Sequence, residues 1–109
     1  MGQGLITVTP LQLCNLAATI ANRGWWMTPY HRYSTAGADP EAYINPHRTK
    51  ASPAAYNIVI EGMRACVKNG TAKVIDDPRI TICGKTGTAQ NGGIDHSAFI
   101  AFAPMDNPQ

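Results

Sequence analysis

Ile80-Thr81-Ile82-Cys83 alternates like a strand and runs straight into Gly84-Lys85-Thr86-Gly87-Thr88. Asn91-Gly92-Gly93 then supplies residues that tolerate positive φ, the chemistry of a tight hairpin turn. Ser97 to Ala103 is a short continuous apolar run, the pattern of a strand buried on both faces. Pro104 ends it, and Asp106-Asn107-Pro108 is turn chemistry. Together these residues predict an antiparallel hairpin over roughly 80–103. A strand of the central type followed only by a turn also predicts that a further strand belongs beside it.

Helices come before the hairpin. Thr9-Pro10-Leu11-Gln12 reads as an N-cap, a proline at the first helical position and a capping-box partner. Leu13, Leu16, Ala17, Ile20 and Ala21 recur at helical spacing. Asn22-Arg23-Gly24 closes the helix, with Gly24 expected as its C-terminal cap. The predicted span is 10–22. A second helix starts at Ser52-Pro53, carries an apolar stripe of Tyr56, Val59, Ile60, Met63 and Val67, and stops at Asn69-Gly70. Gly62 inside it costs about 1 kcal/mol relative to alanine, so close packing is expected there. Between the helices, Trp25 to Tyr33 has room for one strand. Residues 34–51 read as loop, with a turn at Ala36-Gly37-Ala38-Asp39-Pro40. The fold class these elements imply is α+β, with helices packed on a mostly antiparallel sheet.

Composition narrows the function classes. Charged residues make up 15% of the 109-residue chain, against about 25% in a typical soluble domain. Such a deficit fits a chain part of whose surface packs against further protein, and the abrupt ends of the pattern favour that reading. The nine Lys and Arg are scattered and the net charge is +2, with no basic stripe, so nucleic acid is not an expected partner. No apolar run reaches the roughly 18 residues a membrane span needs, and no targeting signal is present. No membrane contact is expected of this segment. Cys14, Cys66 and Cys83 form no C-x-x-C pair, so they read as buried small apolar thiols and not as a metal site. No cofactor is expected.

Lys85-Thr86-Gly87-Thr88 carries the chemistry. On a strand, Thr86 and Thr88 share one face and Lys85 and Gly87 the other. Two hydroxyls one strand repeat apart can both donate to a carboxylate, and an adjacent ammonium adds attraction for the same anion. A glycine in a strand admits a ligand or another backbone, and a free strand edge can pair with an extended peptide. The segment therefore suits a peptide with a carboxylate end, and contains no nucleophile–base pair of its own. Gly84-Lys85-Thr86 also matches the end of a phosphate-binding loop. That motif needs glycine at position 79, which is Arg79, and a helix after the lysine; Gly87 and the Asn91-Gly92-Gly93 turn come instead.

The flanks give the tetrapeptide its context. Gly84-Lys85-Thr86-Gly87-Thr88-Ala89-Gln90, then Asp95-His96 and the run to Phe102-Ala103-Pro104, is similar to the third box of penicillin-binding transpeptidases and the strand after it. Gly2-Gln3-Gly4, Val8-Thr9-Pro10-Leu11-Gln12-Leu13 and Ala21-Asn22-Arg23-Gly24 resemble the segment between the second and third boxes. Glu61-Gly62-Met63-Arg64 and Gly70-Thr71-Ala72 fit the helix and loop before the third box. The resemblance covers essentially all of 1–109, is weakest over 34–51, and looks most like the class B, elongation-type enzymes.

The resemblance implies that 1–109 is the C-terminal portion of a transpeptidase domain, an incomplete penicillin-recognising fold. The parent would be a membrane-anchored serine D,D-transpeptidase with this domain on the extracytoplasmic side, cross-linking peptidoglycan stem peptides and acylated by β-lactams. The partners implied are the D-Ala-D-Ala end of a stem peptide, β-lactams and the remainder of the domain. Lys85 would supply positive potential and touch the proton relay. Thr86 and Thr88 would bind the terminal carboxylate, Gly87 would let the acyl group lie against the strand, and the Thr88 N–H would be one oxyanion donor. A serine β-lactamase, some of which carry Lys-Thr-Gly-Thr, is the nearest rival; Gly-Gln-Gly and Thr-Pro-Leu-Gln argue against it. A stand-alone peptide-binding module with a fortuitous motif is the rival from another class.

The family also needs Ser-x-x-Lys and Ser-x-Asn. Ser34, Ser52 and Ser97 are followed three residues later by Gly37, Ala55 and Ile100, and two residues later by Ala36, Ala54 and Phe99. Neither box is present. Tyr43-Ile44-Asn45 mimics a second-box variant at the wrong place in the order. Asp95-His96-Ser97 is no triad, because strand neighbours point to opposite faces. The chain alone is expected to be inactive.

Overall fold

Thr9 starts the first helix with a reciprocal pair of bonds. The Gln12 N–H donates to Thr9 Oγ1 at 3.3 Å, and the Thr9 N–H donates to Gln12 Oε1 at 2.8 Å. Two otherwise orphaned donors are satisfied, an arrangement whose threonine is worth about 1 kcal/mol. The computed structural model describes residues 7–30, 41–91 and 93–108. Within them, helix α1 spans Pro10–Ala21. Gly2-Gln3-Gly4, the turn expected over Ala36–Pro40 and the end of the strand expected over Trp25–Tyr33 lie outside the described residues.

The end of α1 differs from expectation. The left-handed position is taken by Arg23, at φ 55°, directly after the cap Asn22. The Arg23 N–H donates to the Ile20 carbonyl and the Gly24 N–H to the Thr19 carbonyl, the bond pair of a Schellman ending. A non-glycine residue there costs about 1–2 kcal/mol. The Arg23 side chain offsets that cost by donating to the carbonyls of Ala21 at 2.6 Å and Met105 at 3.1 Å. Gly24 is needed for another reason. At φ 108° a Cβ would also lie 2.8 Å from the Tyr56 ring and 2.9 Å from Thr49 Oγ1.

The stretch expected to be loop contains short elements. Strand β1 is only Trp25–Trp26, and it pairs antiparallel with β2, His47–Arg48. One helical turn, α2, spans Glu41–Ile44. Trp26 stacks on His47 with centroids 4.1 Å apart.

Helix α3 runs Pro53–Asn69 with Ser52 as N-cap. Ile60, Met63 and Val67 of its predicted stripe are buried, but Val59 is 46% exposed. Each buried side chain contributes about 1.5–3 kcal/mol. Gly62 is exposed and a Cβ there would meet nothing within 4 Å, so no close packing explains it. Arg64 ties α3 to the segment that leads into the hairpin. It donates to Asp76 at 2.7 Å and to the Ile82 carbonyl at 3.2 Å, across a short 3-10 turn at Lys73–Ile75.

The hairpin is β3, Cys83–Asn91, and β4, Ile94–Phe102. Strand pairing begins at Cys83 and not at Ile80, because Ile80 is engaged in an isolated bridge with Asp77. The Met105 N–H, bonded to the Thr81 carbonyl at 2.9 Å, closes the base of the hairpin. Ile20 of α1, Ile60 and Met63 of α3 and Cys83 of β3 form the core, with Tyr56, Ile100, Phe102 and Met105 packed against it.

Strand β4 is not buried on both faces as its sequence suggested. Ile94 to Phe99 are all exposed. No third strand lies beside it among the described residues, and helices cover only one face. Large apolar side chains, among them Leu11, Leu16, Ile58 and Phe99, face solvent. A groove of about 660 Å³ between α1 and β4 is lined by Leu13, Ala17, Ile100 and Phe102. The low charge content is thus matched by uncovered apolar surface.

Candidate functional site

Strand β3 presents Lys85-Thr86-Gly87-Thr88 in unbroken register. One residue faces one from Cys83↔Phe102 to Asn91↔Ile94, so no bulge disturbs the alternation. Thr86 and Thr88 therefore share a side about 7 Å apart along the strand, and Lys85 and Gly87 share the other. Among the described residues β3 has β4 as its only neighbour. Every second N–H and C=O of β3 then points to the opposite edge, where an extended peptide could pair.

The two glycines flanking Lys85 and Thr86 are not alike. A Cβ on Gly84 would lie 2.5 Å from the Phe99 ring, which covers that position from β4. A Cβ on Gly87 would meet nothing within 4 Å. Gly84 is required by the fold, while the space beside Gly87 is left open by it.

The polar side chains occupy defined positions. Lys85 is exposed and its Nζ donates to the Thr86 carbonyl at 2.6 Å. Thr88 is exposed, and Thr86 is half-buried. Thr86 Oγ1 lies 2.8 Å from Thr71 Oγ1, in the loop after α3. Behind Thr71, Cys66 Sγ lies 3.5 Å from the same hydroxyl. The Thr71 hydroxyl holds the Cys66 thiol below its ordinary value; burial opposes this, and backbone N–H groups of Thr86 and Ala72 and the Lys85 charge assist. Cys83, in the core, is pushed upward by burial.

The cysteines correct an expectation. Only Cys83 is buried; Cys66 is half-buried and Cys14 exposed, and all three are free. Asp95 and His96 are exposed near the hairpin tip, where they pair in register with Gln90 and Ala89. His31 lies outside the described residues. No group of three metal-ligating side chains occurs among the described residues, and no described helix is long and apolar enough to cross a membrane.

Thr71 is the neighbour that sequence reading did not connect to the site. It approaches Thr86 from 15 residues away, and no local spacing announces such a contact.

Comparison with known proteins bears on this strand. The family model described as the penicillin binding protein transpeptidase domain matches residues 1–109. Peptidoglycan D,D-transpeptidase MrdA of Acinetobacter baumannii is 33% identical over 129 aligned positions, covering all of this chain and 19% of the relative. Peptidoglycan D,D-transpeptidase PbpA of Mycobacterium tuberculosis is 34% identical, covering all of this chain and 24% of the relative. Among solved structures, the D,D-transpeptidase domain of a peptidoglycan glycosyltransferase from Eggerthella lenta superposes with a TM-score of 0.71 at 29% identity, covering 87% of this chain and 24% of that one. The chain thus spans about a fifth to a quarter of the length of these relatives. With a family match over its whole length and a mixed helix and antiparallel-sheet fold that agrees, the chain belongs to the transpeptidase-domain family of penicillin-binding proteins.

Proposed function

We propose that this chain forms the substrate-binding side of a serine D,D-transpeptidase that cross-links peptidoglycan stem peptides. The observation that carries the reading is the contrast between Gly84 and Gly87 on the strand that bears Lys85, Thr86 and Thr88: packing demands the first, and the fold leaves the space beside the second open. In this scheme the carboxylate at the D-Ala-D-Ala end, or that of a β-lactam, sits on the hydroxyls of Thr86 and Thr88. Lys85 contributes positive potential and touches the proton relay. The acyl group lies over Gly87, and the Thr88 N–H donates to the oxyanion.

The bond-making residues lie elsewhere in the parent protein. A serine in a Ser-x-x-Lys box attacks the penultimate D-alanine carbonyl and releases the terminal D-alanine. An amine from a neighbouring peptide then resolves the acyl-enzyme. Residues 1–109 contain neither that box nor Ser-x-Asn, so the chain by itself is inactive and takes no covalent label from penicillin. The parent is anchored in the cytoplasmic membrane with this domain on the extracytoplasmic side, where its substrate is. The names of the relatives support the enzyme class.

Replacing Lys85 with alanine in the full-length enzyme tests the assignment. A charge-assisted contact of this kind is worth about 1.5–3 kcal/mol, so penicillin acylation is expected to fall by tenfold or more. An unchanged acylation rate would remove Lys85 from the site.

A further inference from the structure

We propose that Thr71 is a positioning residue that sets the direction in which the Thr86 hydroxyl donates. The inference rests on the reading of Thr86 as a carboxylate ligand and adds to it a residue from a different element.

Thr71 and Thr86 face each other hydroxyl to hydroxyl at 2.8 Å. Each hydroxyl has one hydrogen and can accept as well as donate. Two arrangements are therefore open: Thr86 donates to Thr71, or Thr71 donates to Thr86. A substrate carboxylate accepts only, so Thr86 can serve it only with its one hydrogen. That hydrogen is available in the second arrangement alone. Thr71 must then donate to Thr86, and its own lone pairs turn toward Cys66 Sγ at 3.5 Å. The chain runs from the Cys66 thiol through Thr71 and Thr86 to the carboxylate, and each bond polarises the next.

The backbone holds Thr71 still enough to do this. The N–H groups of its two neighbours, Gly70 and Ala72, both donate to the Cys66 carbonyl at 3.1 Å, and Ala72 is buried. Thr71 itself is exposed and packs into no core, so removing its hydroxyl is not expected to unfold the domain.

The test uses the full-length enzyme with the variants Thr71→Val and Thr71→Ser. Each is reacted with a labelled penicillin carrying its free carboxylate and with the methyl ester of the same penicillin. Thr71→Val is expected to slow acylation by the free acid about tenfold, to leave the ester within twofold, and to leave the melting temperature unchanged. Thr71→Ser should restore the free-acid rate. Equal slowing of acid and ester by Thr71→Val, or failure of serine to rescue, would overturn the assignment. Thr86→Val is run alongside. If it erases the acid-over-ester preference while Thr71→Val keeps it, Thr71 is wrong and the carboxylate reading stands. If the wild-type enzyme shows no such preference, the carboxylate reading fails and the role of Thr71 falls with it.

Discussion

The two ends of the β3–β4 hairpin are built for different tasks. At its base, Cys83 is fully buried in the core with Ile20, Ile60 and Met63, and its partner Phe102 packs against that core. Toward its tip, Thr88 pairs with Ser97 and Ala89 with His96, and Thr88, His96 and Ser97 are all exposed. The base obeys packing, and its residues are explained by the neighbours they touch. The middle and tip obey packing poorly: an open-faced glycine, an exposed lysine and an exposed threonine add little to stability. Residues that a fold does not need in order to stand are those available for a ligand.

Stability measurements sharpen that contrast most strongly. Ile60→Ala leaves a cavity in the core and is expected to cost about 2–5 kcal/mol. Thr88→Ala, at an exposed position, should fall within about 0.5 kcal/mol of wild type in urea unfolding of the domain. A comparable loss for both would break the division. The glycines give the next largest effect. Gly84→Ala forces a Cβ against the Phe99 ring and should destabilise by about 1–3 kcal/mol. Gly87→Ala should leave stability nearly unchanged but slow acylation, because its methyl group enters the space assigned to the acyl group.

The smallest effect is read from the thiols. With no carboxylate on Thr86, the Thr71 hydroxyl is free to donate to Cys66 Sγ and favours its thiolate in the folded state, so Cys66 alkylation of the ligand-free protein should reach its plateau at lower pH than in the denatured chain. Thr71→Val should move it back toward the ordinary thiol range. Cys83 behaves oppositely, because burial raises its pKa. The folded state holds that proton more tightly, so its contribution to stability is complete below the ordinary thiol pKa and is lost as pH rises toward and through the raised value. Cys83 should stay unalkylated until the fold opens.

Much of this architecture is legible in the chain because its signals are local. Thr9 and Gln12 state a capping box within four residues, and the helix start at Ser52-Pro53 is equally self-contained. What escaped depends on partners far along the chain. Arg23 can take the left-handed position because Met105 accepts from it from 82 residues away. The two-residue pairing of Trp25–Trp26 with His47–Arg48 is too short to carry a period. The apolar run of β4 reads as doubly buried because its composition suits burial, yet nothing among the described residues covers its outer face. The Lys85–Thr88 motif was visible, as was the want of a nucleophile box. The Thr71–Thr86 contact was not, since it exists only once α3 has packed against β3.

The central claim is that these residues hold the substrate while a serine outside them makes the bond. The direct measurement is to label the full-length enzyme with penicillin, digest it and map the adduct. The account predicts a single acylated serine outside residues 1–109, in a Ser-x-x-Lys sequence. An adduct on Ser34, Ser52 or Ser97 would contradict it.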